Sequence, residues 1–364
     1  MSLAVYVNLP LPFQRLTQFC LRCGFLDFPE LLKDELRNYT NDYFNQHPAF
    51  ADHDQFFVFF TPSWLSLIQR HHYFEAIKLW NLALGLSFDW ERRNPAIKVH
   101  KGTPYYFLGV TGILNNELDN GFLAMHQAMK EDERHSGGRR PEAPAYWFTI
   151  LDSSRRDQFF IQKVEEVAVY LDDRLYEYSV NRGKLLRLSE FRNRFLRLRY
   201  LSESVFFFVY SLFRLRKVLF ETHEVYKKNV FSSLLHTRIL FDLSVVTDKL
   251  IENKNIGRGN RPTLANEILF LSTAPRNLLH FNPTILHDLN DEFEDNFSRT
   301  MNSLILGTYV TSPLNDIERD FAITYGIRNR GAHKVEDRPI MYSKTKELAQ
   351  SVLNTIFFTV ENLY

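Results

Sequence analysis

Apolar positions recur along this chain at steps of three and four, the repeat of a helix with one buried face. Ile161, Val164, Ala168, Leu171, Leu175 and Tyr178 step this way, and Leu348, Val352, Ile356, Val360 and Leu363 repeat it near the C-terminal end. Long helical stretches are expected over 230–252, 288–306, 314–330 and 343–363. No convincing run of alternating positions between hairpin turns is present. The pattern predicts an all-α protein.

The first part reads as stacked helix pairs. Residues 105–112 predict one helix, Asn115–Asp119 a turn, and 120–129 its antiparallel partner. Gly109, Gly121 and Ala128 are small enough to let the two approach closely. This resembles a tetratricopeptide unit, and Tyr73–Trp80 with Ala83 resembles the second helix of an earlier one. The interval from Ala76 to Gly121 is wider than the usual repeat of roughly 34 residues, so an irregular bundle stands beside that reading. An array of helical hairpins over 1–152 would offer a concave face to a protein or ligand partner.

Composition narrows the function classes. At 364 residues the chain can hold two or three domains, and 33 Phe, 17 Tyr and 4 Trp predict an aromatic core. With 44 basic and 43 acidic residues it is no uniformly basic coat for nucleic acid. Two cysteines, Cys20 and Cys23, make no disulfide scaffold; without a second pair for zinc they read as thiols buried on a short helix. That usage fits a reducing compartment. The N-terminal residues carry no basic start with an apolar run, and Ser204–Phe213 is too short to span a bilayer. A cytoplasmic protein without a membrane partner is expected.

Charge is unevenly placed. Over 182–199 lie Arg182, Lys184, Arg187, Arg192, Arg194, Arg197 and Arg199 against Glu190 alone, a net +6 that leaves the remainder at −5. Leu188, Phe191, Phe195 and Leu198 run through it as an apolar stripe, so an amphipathic helix is predicted. Arg192, Arg194 and Arg197 are candidate RNA contacts. A membrane surface is a second acidic partner for such a helix. Pairing with acids elsewhere in the fold, such as Asp172 and Asp173, is an equally weighted alternative.

The most informative stretch is Tyr325–His333, Tyr-Gly-Ile-Arg-Asn-Arg-Gly-Ala-His. Ser312-Pro313 predicts a helix start. Leu314, Ile317, Phe321 and Tyr325 form one face, and Arg328 is the next member of that series. An arginine ending an apolar stripe should enter a groove or an interface. Arg328 and His333 stand about 140° apart on an ideal helix. Bringing both to one phosphate needs a distorted turn at Gly331 or a second copy of the chain.

Arg328, Asn329 and His333, in the variant form Arg-Asn-x-x-Ala-His, resemble the Arg-x(4-6)-His signature of the HEPN superfamily, over about 227–364. The resemblance implies a helical bundle that dimerises and joins two motifs in one cleft. It further implies metal-independent cleavage of single-stranded RNA to a 2′,3′-cyclic phosphate and a 5′-hydroxyl, with a role in phage defence or stress response. Histidine supplies acid–base chemistry and guanidinium holds the phosphate. Arg330 and Lys334 are added as RNA contacts. Residues 153–226 are taken as linking helices. Arg-x(6)-His spans, two residues longer, also lie at Arg93…His100 and Arg216…His223. No acid-x-x-x-basic companion motif is evident, and Asp242 is followed four residues on by Val246.

No other catalytic constellation stands out. There is no nucleophile elbow, zinc-protease helix or dinucleotide fingerprint, Gly257-Arg-Gly259 lacks the P-loop ending, and Asp288–Asp295 lacks calcium-loop spacing. No cofactor and no metal are expected. The alternative function is a non-catalytic helical scaffold that binds RNA or a nucleotide, or a regulatory subunit of a larger complex.

Overall fold

The computed structural model describes residues 9–22, 27–52, 55–138, 143–152, 161–183, 185–220, 230–254, 263–273, 275–282, 284–290, 293–311, 313–333 and 339–364. All regular elements among these residues are helical, as the periodicity predicts. The chain divides into two compact units, one ending at Phe148 and one beginning at Thr149.

The first unit holds α1 (Leu11–Arg22), α2 (Glu30–Gln46), α3 (Gln55–Val58), α4 (Thr61–Ile68), α5 (Tyr73–Arg93), α6 (Gly102–Leu114) and α7 (Leu118–Ser136); α8 (Pro144–Thr149) ends it. Aromatic rings fill its core. Phe13 meets Phe60 at 5.0 Å, Phe59 at 5.1 Å and Tyr39 at 5.4 Å between ring centres. Phe107 lies between Trp64 and Trp80, at 4.4 and 5.2 Å. The buried Trp64 indole donates to Thr111 Oγ1 at 2.9 Å, which satisfies its polar edge. Helices α6 and α7 form the expected hairpin. Methyl groups built on Gly109 and Gly121 would fall 2.8 Å from Met125 Cγ and 2.7 Å from Ile113 Cγ1. Glycine is thus what lets these two backbones meet. Cys20 is buried on α1; Cys23 lies outside the described residues.

The second unit holds α9 (Ile161–Arg182), α10 (Leu188–Phe191), α11 (Ser202–Phe220), α12 (Val230–Glu252), α13 (Leu264–Ser272), α14 (Thr284–Asp288), α15 (Glu294–Ile305), α16 (Asp316–His333), α17 (Pro339–Ser343) and α18 (Thr345–Leu363). Helices α12, α16 and α18 pack on one another as its centre, with α11 against α12 and α9 against α18. Leu348, Val352, Ile356 and Val360 of the predicted stripe are all fully buried. On α9, the stripe from Val164 to Tyr178 is buried too. The helices of 161–220 thus belong to the same unit as the C-terminal bundle.

The single amphipathic helix expected over 182–199 is not formed. α9 ends at Arg182, and the short α10 passes into a π-helical turn at Arg192–Leu196 and a 3-10 turn at Arg199–Leu201. Two residues of the apolar stripe are buried across the break. Phe191 and Phe195 are both fully buried, with Phe191 5.8 Å from Phe208 and 5.4 Å from Phe357, and Phe195 5.4 Å from Phe208. The two rings, four residues apart, share one buried cluster across this turn. The stretch expected as one helix over 288–306 is likewise divided between α14 and α15.

Candidate functional site

The helix that carries Arg328 starts later than Ser312-Pro313 suggests. Ser312 lies outside the described residues, and Pro313 and Leu314 precede α16. The start is a capping box. Asn315 Oδ1 accepts from the Glu318 amide at 3.0 Å, and Glu318 Oε2 accepts from the Asn315 amide at 3.0 Å. Two otherwise orphaned amides are satisfied reciprocally, which a lone serine hydroxyl cannot do. Glu318 is buried, and its other oxygen accepts from the His280 amide at 2.7 Å. The first turn of α16 is thereby tied to the segment before α14.

From there α16 continues through Gly331 to His333, so the motif glycine neither ends nor distorts it. Gly331 instead makes room. A Cβ there would lie 2.6 Å from Cδ2 of Phe241 on α12. With no distortion, Arg328, Asn329 and Arg330 diverge by about 100° each. Arg328 turns to α12, where Nε and Nη2 each stand 3.2 Å from Asp248 Oδ2. Its guanidinium carbon lies 5.0 Å from the centre of the Phe241 ring, and its side chain stays 29% exposed. Asn329 donates to Asn290 Oδ1, which the Tyr325 hydroxyl also reaches, at 3.0 Å. Arg330 turns inward against Phe297, its guanidinium carbon 4.8 Å from the ring centre. It is 6% exposed, so the expectation of an outward RNA contact does not match its placement. The side chain of His333 and the whole of Lys334 lie outside the described residues.

Asp248 is the residue that a search for acid-x-x-x-basic spacing misses. It is buried on α12, and that burial pushes its carboxyl above the usual range while Arg328 pulls it back. A second buried acid, Asp242, is gripped twice on the same helix: by Arg214 Nη1 at 2.8 Å and by Arg238 Nε at 2.9 Å. Burial also raises Asp242, against the pull of both arginines. The sequence did hold a signal. Both acids sit in the run Ile-Leu-Phe-Asp-Leu-Ser-Val-Val-Thr-Asp over 239–248, where a carboxylate needs a cation to be buried.

The arginines of the basic segment have varied settings. Arg192 donates from Nε to the Ile150 carbonyl at 3.1 Å and from Nη2 to the Leu151 carbonyl. Leu151 is buried with φ 53°, a left-handed conformation that a leucine rarely adopts, so the fork clamps a strained turn. Arg194 donates to the Glu361 carbonyl at 2.9 Å and pairs with Glu190 at 2.6 Å. Arg197 is exposed and donates to Asn193 at 2.8 Å. The span Arg93…His100 does not converge on one site. His100 is buried 3.2 Å from Asp132, while Arg93 donates to Asn41; His223 lies outside the described residues.

Each unit has a cavity among its described residues. One of about 400 Å³ in the first unit is lined by Ile77, Asn81, Tyr105, Leu108 and Leu123 of α5, α6 and α7. One of about 520 Å³ in the second is lined by Arg174, Arg319, Asp320, Lys346 and Asn354. There the Asn354 amide donates to Asp320 Oδ2 at 2.8 Å, and burial pushes the Asp320 carboxyl up to about 7.

Among the described residues, no helix is long and apolar enough to cross a membrane. Comparison with known protein families, with curated proteins and with solved structures finds no match.

Proposed function

We propose that the second unit is a metal-independent endoribonuclease of the HEPN type, acting on single-stranded RNA as a homodimer. The observation that carries this reading is the setting of Arg328. It is a partly exposed guanidinium held by a buried carboxylate, about one and a half turns before a histidine at the end of the same helix. Such a group is positioned in advance to hold non-bridging phosphate oxygens. His333 takes the proton from the 2′-hydroxyl as that oxygen attacks phosphorus. The 5′-oxygen leaves and is protonated by an imidazolium, giving the cyclic phosphate and the free 5′-hydroxyl. A regular helix sets Arg328 and His333 about 140° apart, so a second copy completes the site. Asn329 orients the strand near that junction once its amide leaves Asn290. The first unit docks a protein or small ligand, for which the cavity between α5, α6 and α7 has a mixed apolar and amide lining. Phage defence or stress response is the biological setting that goes with this reading.

The rival reading, a scaffold that binds RNA without cutting it, has support of its own. Asn329 already has a protein partner in Asn290, so it is not held ready for substrate. Incubating the purified protein with single-stranded RNA in EDTA separates the two. Cleavage by wild type that Arg328→Ala and His333→Ala both lack supports the ribonuclease. Wild-type cleavage untouched by either substitution overturns the site, and binding without any cleavage leaves the scaffold.

A further inference from the structure

Phe241 of α12 is the point where three features of this site meet. The backbone of Gly331 sits against its ring, close enough to leave no room for a Cβ. Arg328 lies over the ring at 5.0 Å, and Arg238, one turn earlier on α12, lies over it at 5.4 Å. Both guanidiniums therefore pack against the same ring. Their carboxylate partners are distinct: Asp248 holds Arg328, and Asp242 holds Arg238 together with Arg214. Three arginines on two acids leave a net positive charge at this end of the bundle. Arg238 is the most open of the three, with 61% of its side chain exposed.

Two like charges do not adopt neighbouring positions without compensation. Here the two buried carboxylates and the face of one ring supply it. The result is a pair of forked donors, pre-set and facing solvent in part, beside the helix end that carries His333. We infer that Arg238 is a second phosphate-holding residue, which grips the phosphate next to the one held by Arg328 on the same single strand of RNA. Phe241 is the spacer that sets the distance between the two grips. This rests on the ribonuclease reading for the position of the cleaved bond, but the grip itself is a binding property. Arg238 is a positioning residue: it fixes the register of the strand and touches no reacting atom.

The test measures binding of an uncleavable 2′-O-methyl RNA oligonucleotide across a salt series, with wild type, Arg238→Ala and Arg238→Lys. Each phosphate gripped on a single strand contributes about 0.7 to the slope of log affinity against log salt. Arg238→Ala should bind about tenfold more weakly at low salt, with the slope reduced by about 0.7. Arg238→Lys should keep the slope, because the charge remains, and lose part of the affinity with the fork. Should Arg238→Ala fail to fold, Arg238→Gln decides instead, since it keeps a donor for Asp242 and removes only the charge. Equal affinity and equal slope in wild type and the neutral variant overturn the second grip. If wild type still cleaves natural RNA in that case, the ribonuclease reading survives and only the Arg238 assignment falls. If wild type neither binds nor cleaves, both fall together.

Discussion

Arg328 and Asp248 are joined through a single oxygen: Nε and Nη2 of the arginine both approach Asp248 Oδ2, each at 3.2 Å. The other oxygen, Oδ1, is buried with no hydrogen-bond partner among the described residues. The pair therefore fixes the guanidinium in place while leaving the acid poorly satisfied. Asp248→Asn should lower RNA cleavage about a hundredfold, because a loosened guanidinium no longer meets the phosphate in register. Its effect on folding should be small. Arg328→Ala acts in the opposite sense, since it leaves a buried carboxylate without its cation. It should destabilise the fold by about 1–3 kcal/mol near neutral pH, less than a fully buried pair because Arg328 is partly exposed.

The pH dependence of that loss has a definite sign. Burial already holds the Asp248 carboxyl above its unfolded value, and removing Arg328 raises it further. The native state then keeps a proton that the unfolded chain has released. Stability is greatest below the unfolded value and falls as pH rises through the folded one. Urea unfolding of Arg328→Ala at pH 5 and pH 8 should show more of the loss at pH 8. An equal loss at both would mean that Asp248 finds another cation.

Gly331→Ala tests the contact that the motif glycine permits. The added methyl would stand 2.6 Å from a ring carbon of Phe241, so α12 and α16 must separate or the ring must turn. Overpacking of this kind costs about 1–3 kcal/mol. A smaller partner should relieve it: Phe241→Leu combined with Gly331→Ala should be more stable than the sum of the single changes predicts. Strict additivity in denaturant titrations would remove Phe241 as the reason for the glycine.

Arg192 and Arg197 lie five residues apart in the basic segment but should respond differently. Arg192 bridges two carbonyls at a left-handed leucine, so Arg192→Ala should lower stability by about 1–3 kcal/mol through the orphaned acceptors. Arg197 is exposed, and Arg197→Ala should leave stability within about 0.5 kcal/mol. A thermal melt of each variant decides. Equal melting temperatures would mean that the carbonyl clamp contributes nothing.

That contrast also marks how far the sequence could be read. The stripes of α9 and α18 were legible because each repeats one apolar residue per turn against a buried neighbour. The Gly109–Gly121 approach was legible for a similar reason, since two helices joined by three residues can pack closely only at small side chains. The basic segment was not. Its spacing fits a helix, but the chain turns through α10, a π-helical turn and a 3-10 turn, and the cluster that buries Phe191 and Phe195 is built from residues distant in sequence. The place of Arg328 at the end of an apolar face was foreseeable from spacing alone. Its acid partner was not, because Asp248 lies 80 residues earlier and only the packing of α12 on α16 brings them together. Arg330 differs from Arg328 by two positions, and the helical turn alone carries it from the site to the interior.

Asp320 offers a prediction independent of any ribonuclease. Its carboxyl lies in the polar cavity of the second unit, takes a hydrogen bond from Asn354, and is pushed by burial from an unfolded value of 3.8 to about 7. Between those values the native state holds a proton that the unfolded chain does not. Unfolding free energy should therefore fall with rising pH across this window, at a slope approaching about 1.4 kcal/mol per pH unit from this group alone. Above the folded value both states are ionised, and the slope from this group vanishes. Asp320→Asn keeps an acceptor for Asn354 and cannot ionise. It should be more stable than wild type at pH 8, and the difference between the two should shrink steadily as pH is lowered toward 4. Urea titrations of both proteins at one-unit intervals give that difference free of every other titrating group. A difference that stays flat from pH 4 to pH 8 would place the Asp320 carboxyl in ordinary contact with solvent.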